Sequence, residues 1–366
     1  MSMAMNSRIA AQPRRAASAR KACERTVCRR SSDGPKLFVM QTRRTFLALS
    51  SLAAVAPIRA AEAAGKPFTF GLITDVHHGT HGKDQSARLK RFIDAAINRK
   101  PDFIIQCGDF CCAKGGLDAC REFLAEWNRF PGAKHHVIGN HDCDFQSKED
   151  LLKAWNIPNR YYSFDAGPLH FVVLDRNHYI DDAGKMVSYD KGNWYPIHRA
   201  GGPGHLAKVS CIDEEQLKWL AEDLSKTEKP VVVFQHQPSG VGSHDGNWQD
   251  LNDVIDHHNA KRKKVQVFLV ICGHDHDEQI AVRHGVHHLT LTSSTFGMPF
   301  GGHTTYYDVE KPPFTFLTYD PAKCELMLES AESVYENQAA MNPELCWINP
   351  PKLEARKISA GGRVSS

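Results

Sequence analysis

Five short clusters in this chain carry side chains that bind cations and move protons. They are Asp75-Val76-His77, Gly108-Asp109, Gly139-Asn140-His141-Asp142, the lone His236, and Gly273-His274-Asp275-His276. Asn140 offers a neutral oxygen ligand, and His141 offers an imidazole that titrates near neutrality. Asp142 can accept a proton from that imidazole and fix its orientation. Imidazole and carboxylate oxygens together suit Zn, Fe or Mn, with little to choose among them. No His-Glu-x-x-His stretch occurs, so the single-zinc helix of many metalloproteases is excluded.

Each cluster stands at the end of an apolar run, which places it on a loop at the carboxyl end of a strand. Phe68 to Thr74 leads to Asp75, Asp102 to Cys107 to Gly108, and Val137-Ile138 to Gly139. Val231 to Gln235 leads to His236, and Val265 to Ile271 to Gly273. Between them run helical patterns. Asp84 is expected to cap a helix reaching about Arg99, with Leu89, Phe92, Ile93, Ala96 and Ile97 on one face and Pro101 as its stop. A second helix carries Phe123, Leu124 and Trp127 on one face, with Phe130 in register. Ser147 to Asp150 resembles a capping box, and Asp213 opens a helix with Leu217, Leu220 and Leu224 inside. A further helix near 249–260 precedes Lys261-Arg262-Lys263-Lys264, a solvated helix end or a phosphate contact. Late hairpins, Phe314–Tyr319 with Cys324–Glu329, complete the sheets. The alternation predicts an α/β (α+β) domain with helices outside a sheet core. Residues 176–211, rich in Gly, His, Tyr and Asp, have no period; a stretch this long is expected to be an insertion over the site. Residues 331–366 read as a polar C-terminal tail.

The chain of 366 residues is 42% hydrophobic and 24% charged, an ordinary balance for a globular protein. Its formal charge of +3 is uneven. Residues 1–39 are basic (+7), without periodicity, and read as an over-extended start ahead of Met40, or else as a transit or nucleic-acid-binding arm. Residues 40–63 read as an export signal: Thr42-Arg43-Arg44-Thr45-Phe46-Leu47, an apolar segment to Ile58 too short to span a bilayer, and an Ala61-Glu62-Ala63 cleavage site. The paired arginines resemble a twin-arginine signal, so export machinery is an expected partner and the periplasm or cell exterior the expected location. Taking +7 and +2 from +3 leaves −6 for residues 64–366, which argues against nucleic acid as a partner. Eleven cysteines, nine of them after the leader, lack paired zinc-site spacing. One or two disulfides, or buried thiols, fit equally.

Taken in order, the five clusters resemble the signature of the calcineurin-like metallophosphoesterases, over about residues 68 to 330. The resemblance implies a four-layer α-β-β-α sandwich of two mixed sheets flanked by helices. It also implies two divalent metal ions (Mn, Fe or Zn). One would take Asp75, His77, Asp109 and His276; the other would share Asp109 and take Asn140, His236 and His274. His141 would assist the leaving group, with Asp142 orienting it, while a hydroxide between the metals attacks phosphorus. The His at the third position of Asp75-Val76-His77, and Phe110 and Cys111 after Asp109 where purple acid phosphatases place a tyrosine, set the chain apart from that sister family. The runs Tyr161-Tyr162-Ser163-Phe164 and Phe171 to Asp175 are similar to those of cyclic-nucleotide phosphodiesterases and manganese-dependent ADP-ribose/CDP-alcohol diphosphatases.

The resulting expectation is a domain over 66–330 that hydrolyses a small-molecule phosphoester, a phosphodiester or nucleotide-like compound. A phosphomonoesterase with the same site, or a silent metal-binding module, are the alternatives. Arg176, Tyr179, Trp194, His198 and Trp248 lie in long loops after cluster-bearing strands and are expected substrate contacts. His78, His81, His244, His287 and His288 are not expected to be ligands.

Overall fold

The computed structural model describes residues 65–361 apart from 80–83, 202–203, 241–244, 265, 301–302 and 337–350. The readings of residues 1–64, and of His81 and His244, therefore lie outside the described residues.

Two six-stranded mixed sheets form the core. In the first, β1 (Phe68–Ile73), β2 (Phe103–Cys107) and β3 (Ala133–Val137) run parallel, and β14 (Thr315–Asp320), β15 (Glu325–Leu328) and β18 (Arg356–Ser359) extend it antiparallel beyond β1. In the second, β5 (Leu169–Val173), β8 (Val231–Phe234), β9 (Val267–Cys272) and β11 (Val286–Thr290) run parallel. Antiparallel β4 (Tyr162–Ala166) and β10 (Gln279–Arg283) are its edges. Three ribbons stand apart: β6 (His178–Ile180) with β7 (Met186–Ser188), β12 (Phe296–Phe300) with β13 (His303–Tyr306), and β16 (Ala331–Glu332) with β17 (Lys352–Leu353).

The inner parallel strands β1, β2, β5, β8 and β9 are buried almost throughout, as their largely apolar runs require, whereas edge strand β3 is half-exposed. Aromatic rings fill the space between the sheets. Phe70 and Phe103 of the first meet Phe171 of the second edge-on at 5.4 and 5.0 Å between centroids. Phe103 also meets Phe164, and Phe70 meets Phe234.

Helices cover the outer faces. α1 (Gln85–Arg99) lays Leu89, Phe92, Ile93 and Ala96 on the first sheet, and α2 (Arg121–Trp127) packs beside it through Phe123 and Trp127. α3 (Lys148–Trp155) follows the third cluster. On the second sheet, α5 (Glu214–Lys226) packs on α6 (Trp248–Ala260). The four-layer expectation matches this arrangement. Ser147 and Asp213 cap α3 and α5 through Asp150 N–H and Gln216 N–H, as their sequence positions suggest. Asp84 does not cap α1. Its φ of 67° is left-handed, whereas a capping side chain needs an extended backbone to turn back onto the first amides.

The stretch 176–211 is built rather than irregular. It contains the β6–β7 ribbon and a short helix α4 (Tyr195–Arg199), closed by Cys211 N–H donating to the His178 carbonyl. The tail is also part of the fold. β18 pairs along β15, and Ala360 N–H donates to the Cys324 carbonyl, so the domain continues well past residue 330. The eight described cysteines are free thiols, all buried except Cys324. Lys261 of the basic run ends α6, and Arg262 pairs with Glu228. No helix among the described residues is long and apolar enough to cross a membrane.

Candidate metal centre

Because β1, β2 and β3 are parallel within one sheet, and β8 and β9 within the other, the loops that follow them converge on one edge of the sandwich. This is the usual placement of sites in open α/β sheets. Asp75 N–H donates to the Gly108 carbonyl, and Gly273 N–H to the His236 carbonyl, stitching the loops together. The turns are tight. Asp75, His77, Asp109, His274 and His276 all have positive φ, between 52° and 74°. A non-glycine residue held in the left-handed region costs energy, and such residues cluster where a site dictates the backbone. Two glycines make room. A Cβ on Gly139 would lie 2.2 Å from Asp109 Oδ1, and one on Gly273 would lie 2.4 Å from Asp75 Oδ2.

Two groups of ligand atoms result, Asp75 with His77 and His276, and Asp109 with His236 and His274; within each, all atoms lie within 4.8 Å of one another. His77 Nε2 and His276 Nε2 are 2.9 Å apart, and His276 Nε2 is 3.3 Å from Asp75 Oδ1. Asp109 Oδ2 stands between the groups, 3.2 Å from His236 Nε2 and 3.7 Å from His77 Nε2. Asn140 is buried, and its Oδ1 has no hydrogen-bond partner among the described residues. A buried carbonyl oxygen left this way is costly unless a cation takes it. The donor set therefore fits two cations: Asp75, His77 and His276 would hold one, Asp109, His236 and His274 the other, with the Asn140 oxygen as a further donor and Asp109 near both groups.

Neighbours fix these side chains. His236 Nδ1–H donates to the Cys107 carbonyl at 2.8 Å, leaving Nε2 toward Asp109. Thr74 Oγ1 donates to Asp75 Oδ2, and Ser293 Oγ to the Asp75 carbonyl. The electrostatics match a cation site. Burial works against ionisation of Asp75, yet His276 and His236 outweigh it and hold its carboxyl well below the ordinary value. Asp109 is lowered in the same way, against its burial, by His236 and His141. Burial pushes the His77 imidazole down to about 4, so it is neutral, the form a ligand must take. At His236, burial is overcome by Asp109 and then Asp75, which push it up to about 10. The two carboxylates thus draw positive charge into a buried space.

Above the ligands opens a cavity of about 610 Å³. Trp194, Tyr195, His198 and Arg199 from the 176–211 segment wall one side, and Phe296 with Asp245 and Asp275 the other. His141 lies on this wall. Its Nδ1–H donates to Asp144 Oδ2 at 2.7 Å. Burial opposes its protonation, but Asp109 and then Asp144 carry it up to about 9.

Several expected contacts are placed elsewhere. Asp142 does not orient His141. Its carboxylate turns inward and accepts N–H groups of Phe110, Cys111 and Gly139 at 2.7–2.8 Å, joining the second and third clusters. Burial, then Asp109, push it up to about 7. Arg176 is wholly buried, and its guanidinium donates to the carbonyls of Gln237, Pro238 and Asp245, so it braces the loop after His236 instead of facing substrate. Tyr179 packs on Tyr189, and neither Tyr179 nor Trp248 lines the cavity. Trp194 and His198 do line it. His78 stacks on Phe123 at 4.3 Å, turned away from the ligands, and His288 lines a separate small cavity. Asp144, Tyr195 and Arg199 were not expected. Asp144 had one signal, its spacing of three from His141; Tyr195 and Arg199 had none.

The sequence is 28% identical over 272 residues to a manganese-dependent ADP-ribose/CDP-alcohol diphosphatase of Arabidopsis thaliana, covering 62% of this chain and 86% of the relative. It is 26% identical over 236 residues to the human serine/threonine-protein phosphatase CPPED1, covering 57% and 66%. Among solved structures, a dimetal phosphatase from Danio rerio superposes with a TM-score of 0.57 over 80% of this chain and 99% of that one, at 19% identity, a likeness of fold. Residues 68–278 match the calcineurin-like phosphoesterase family, more than half of the chain, and carry both ligand groups up to His276. The chain accordingly belongs to the calcineurin-like phosphoesterases, metal-dependent hydrolases of phosphate esters.

Proposed function

We propose that this phosphoesterase cleaves a nucleotide-like substrate at a phosphodiester or diphosphate linkage. The observation that carries the reading is the wall above the ligands. Trp194 and Tyr195 are stacked at 4.2 Å, and Arg199 lies over the Tyr195 ring at 4.5 Å. Arg199 is exposed and makes no ion pair among the described residues. An aromatic wall suits a base or other flat group, and a guanidinium held flat can receive a second phosphoryl group through paired N–H donors. The relatives named as ADP-ribose/CDP-alcohol diphosphatases support the same class, since those substrates carry two linked phosphates.

When bound, the two cations supply charge against the phosphoryl oxygens and a nucleophile at neutral pH. The chain's own residues do the rest. Asp75, His77, His276, Asp109, Asn140, His236 and His274 hold the cations. His141, on the cavity wall, presents Nε2 for the leaving-group oxygen. Arg199 and the aromatic wall orient the part of the substrate that leaves.

We also propose that the protein is exported, on the strength of Arg43-Arg44, the apolar run that follows and Ala61-Glu62-Ala63. Secretion of the wild type, lost in Arg43→Lys/Arg44→Lys, is the expected result; an unsecreted wild type overturns the proposal.

The test of substrate is hydrolysis by purified protein, chelated and then restored with Mn, Fe or Zn. ADP-ribose, CDP-choline, bis(p-nitrophenyl) phosphate and p-nitrophenyl phosphate would be compared by kcat/KM. Metal-dependent preference for the first three supports the proposal. Preference for the monoester, or no turnover with two metals bound, overturns it.

A further inference from the structure

We infer that Asp144 and Tyr195 are positioning residues that hold His141 for transfer of a proton to the leaving-group oxygen. The inference rests on phosphoester cleavage with His141 at that oxygen, and not on the identity of the substrate. Three polar atoms form a closed triangle. His141 Nδ1 is 2.7 Å from Asp144 Oδ2, the Tyr195 hydroxyl donates to the same carboxylate oxygen at 2.8 Å, and it stands 3.1 Å from Nδ1.

A carboxylate oxygen only accepts, so both neighbours point their hydrogens at it, and Nδ1 carries a proton. Nε2 is then the nitrogen that takes up or gives a second proton, as orienting carboxylates arrange in other acid–base sites. Transfer balances simply. An oxygen from water bonds to phosphorus as the bond from phosphorus to the leaving oxygen breaks, the Nε2 proton passes to that leaving oxygen, and His141 is left neutral with Nδ1–H still on Asp144. Water returns the proton for the next turnover.

The surroundings make the triangle rigid. The Asp144 side chain is 4% exposed against 22% for His141, so the carboxylate is the more shielded partner of the pair, and His141 lines the cavity. Residues 141–143 form a turn of 3-10 helix, and Asp144 N–H donates to the His141 carbonyl, which brings the side chain three positions on beside the ring. Tyr195 arrives from the 176–211 segment, anchored where Gly192 N–H donates to the Cys143 carbonyl. Its ring is clamped between Trp194 and Arg199. The segment between β5 and α5 therefore takes part in positioning the acid as well as walling the cavity.

A leaving-group series on the metal-loaded full chain tests this. Aryl phosphodiesters are used whose phenols run from acidic (2,4-dinitrophenol) to weakly acidic (phenol), since a proton donor matters most for the poorest leaving group. His141→Ala is expected to lower kcat about 100-fold or more for the phenyl ester, with a much smaller loss for the dinitrophenyl ester. Asp144→Asn, which keeps the shape, and Tyr195→Phe, which keeps the stacked ring, are expected to reproduce that uneven loss at about 30-fold and 5-fold. KM should stay within about twofold and metal content at two. A uniform loss across the series, or loss only through KM or metal, makes the two residues merely structural and overturns the inference. An even loss in His141→Ala itself removes the acid role of His141, a separate failure that the same series identifies.

Discussion

The Nε2 atoms of His77 and His276 face each other at 2.9 Å in a buried space. Two imidazoles meet this way only if one nitrogen keeps a proton or if both give their lone pairs to a cation. The metal-loaded protein should therefore be the more stable form. Chelation is expected to lower the melting temperature and abolish hydrolysis, and Mn, Fe or Zn to restore both. His276→Ala should reduce bound metal toward one per chain and cut kcat/KM by more than about 100-fold, because ligand loss exceeds the effect of a supporting residue. Metal analysis beside a thermal melt checks both. An unchanged metal count would remove His276 from the ligands.

Gly139→Ala tests the packing of the centre. The added methyl would sit 2.1 Å from the Asp109 amide nitrogen and 2.2 Å from Asp109 Oδ1, so the aspartate facing both ligand groups must move. We expect folded protein with weakened metal binding, and activity that needs raised metal concentrations. A wild-type metal titration in the variant would mean that Asp109 tolerates displacement.

Much of this centre was legible in the sequence for a physical reason. A residue at the carboxyl end of a parallel strand has its position fixed by the sheet, so apolar runs place Asp75, Asp109, Asn140, His236 and His274 at one edge, while their roles as ligands are what the resemblance implies. What failed was inference from adjacency. Asp142 neighbours His141 in sequence, but the turn sends its carboxylate inward to three amides, and Asp144 reaches the ring instead. Arg176 does lie in a link, three residues past the end of β5, but that link is buried and its guanidinium is spent on backbone carbonyls. β18 was missed because four residues, Arg356–Ser359, offer too short an alternation to stand out; pairing with β15 makes the strand.

Behind the site, Lys148 Nζ lies 2.6 Å from Asp175 Oδ2 with both side chains nearly inaccessible, and Arg160 adds a second contact to the same oxygen. Burial works against the Asp175 charge, but Lys148, then His178 and Arg160, hold its carboxyl far below the ordinary range. Removing one member leaves uncompensated buried charge. Asp175→Ala is expected to cost about 3–5 kcal/mol in denaturant unfolding. The double replacement Lys148→Met/Asp175→Leu should be much less damaging, since it removes both charges. Equal losses for the single and double variants would contradict this account.

His170 sets a pH dependence remote from the metals. Its Nδ1 is 2.7 Å from Asp165 and its Nε2 2.9 Å from Asp223, and Lys229 pairs with Asp165. Burial alone would lower its pKa, but Asp223 and then Asp165 raise it above the usual value of about 6.5. A raised folded-state pKa means that folding favours the imidazolium. The contribution is fully present below about pH 6.5 and fades as pH climbs through the folded-state value. Urea midpoints of wild type and His170→Asn should differ most near pH 6 and converge in mild alkali. A gap that widens with rising pH would reverse the sign and show that His170 is held neutral.

Arg199→Ala separates the substrate reading from the chemistry. The guanidinium stacks on Tyr195 and reaches the cavity without touching the ligand groups. If it receives a second phosphoryl group, its loss removes a charge-assisted contact of about 1.5–3 kcal/mol, a roughly 10- to 100-fold drop in kcat/KM for ADP-ribose or CDP-choline. Bis(p-nitrophenyl) phosphate has one phosphate and should lose far less. Because removal of Arg199 also frees one face of the Tyr195 ring, Arg199→Gln serves as a control that retains a flat side chain. Equal losses on diphosphate and aryl diester in both variants would mean that Arg199 acts by bracing Tyr195, and the case for a diphosphate substrate would lose its support in the cavity.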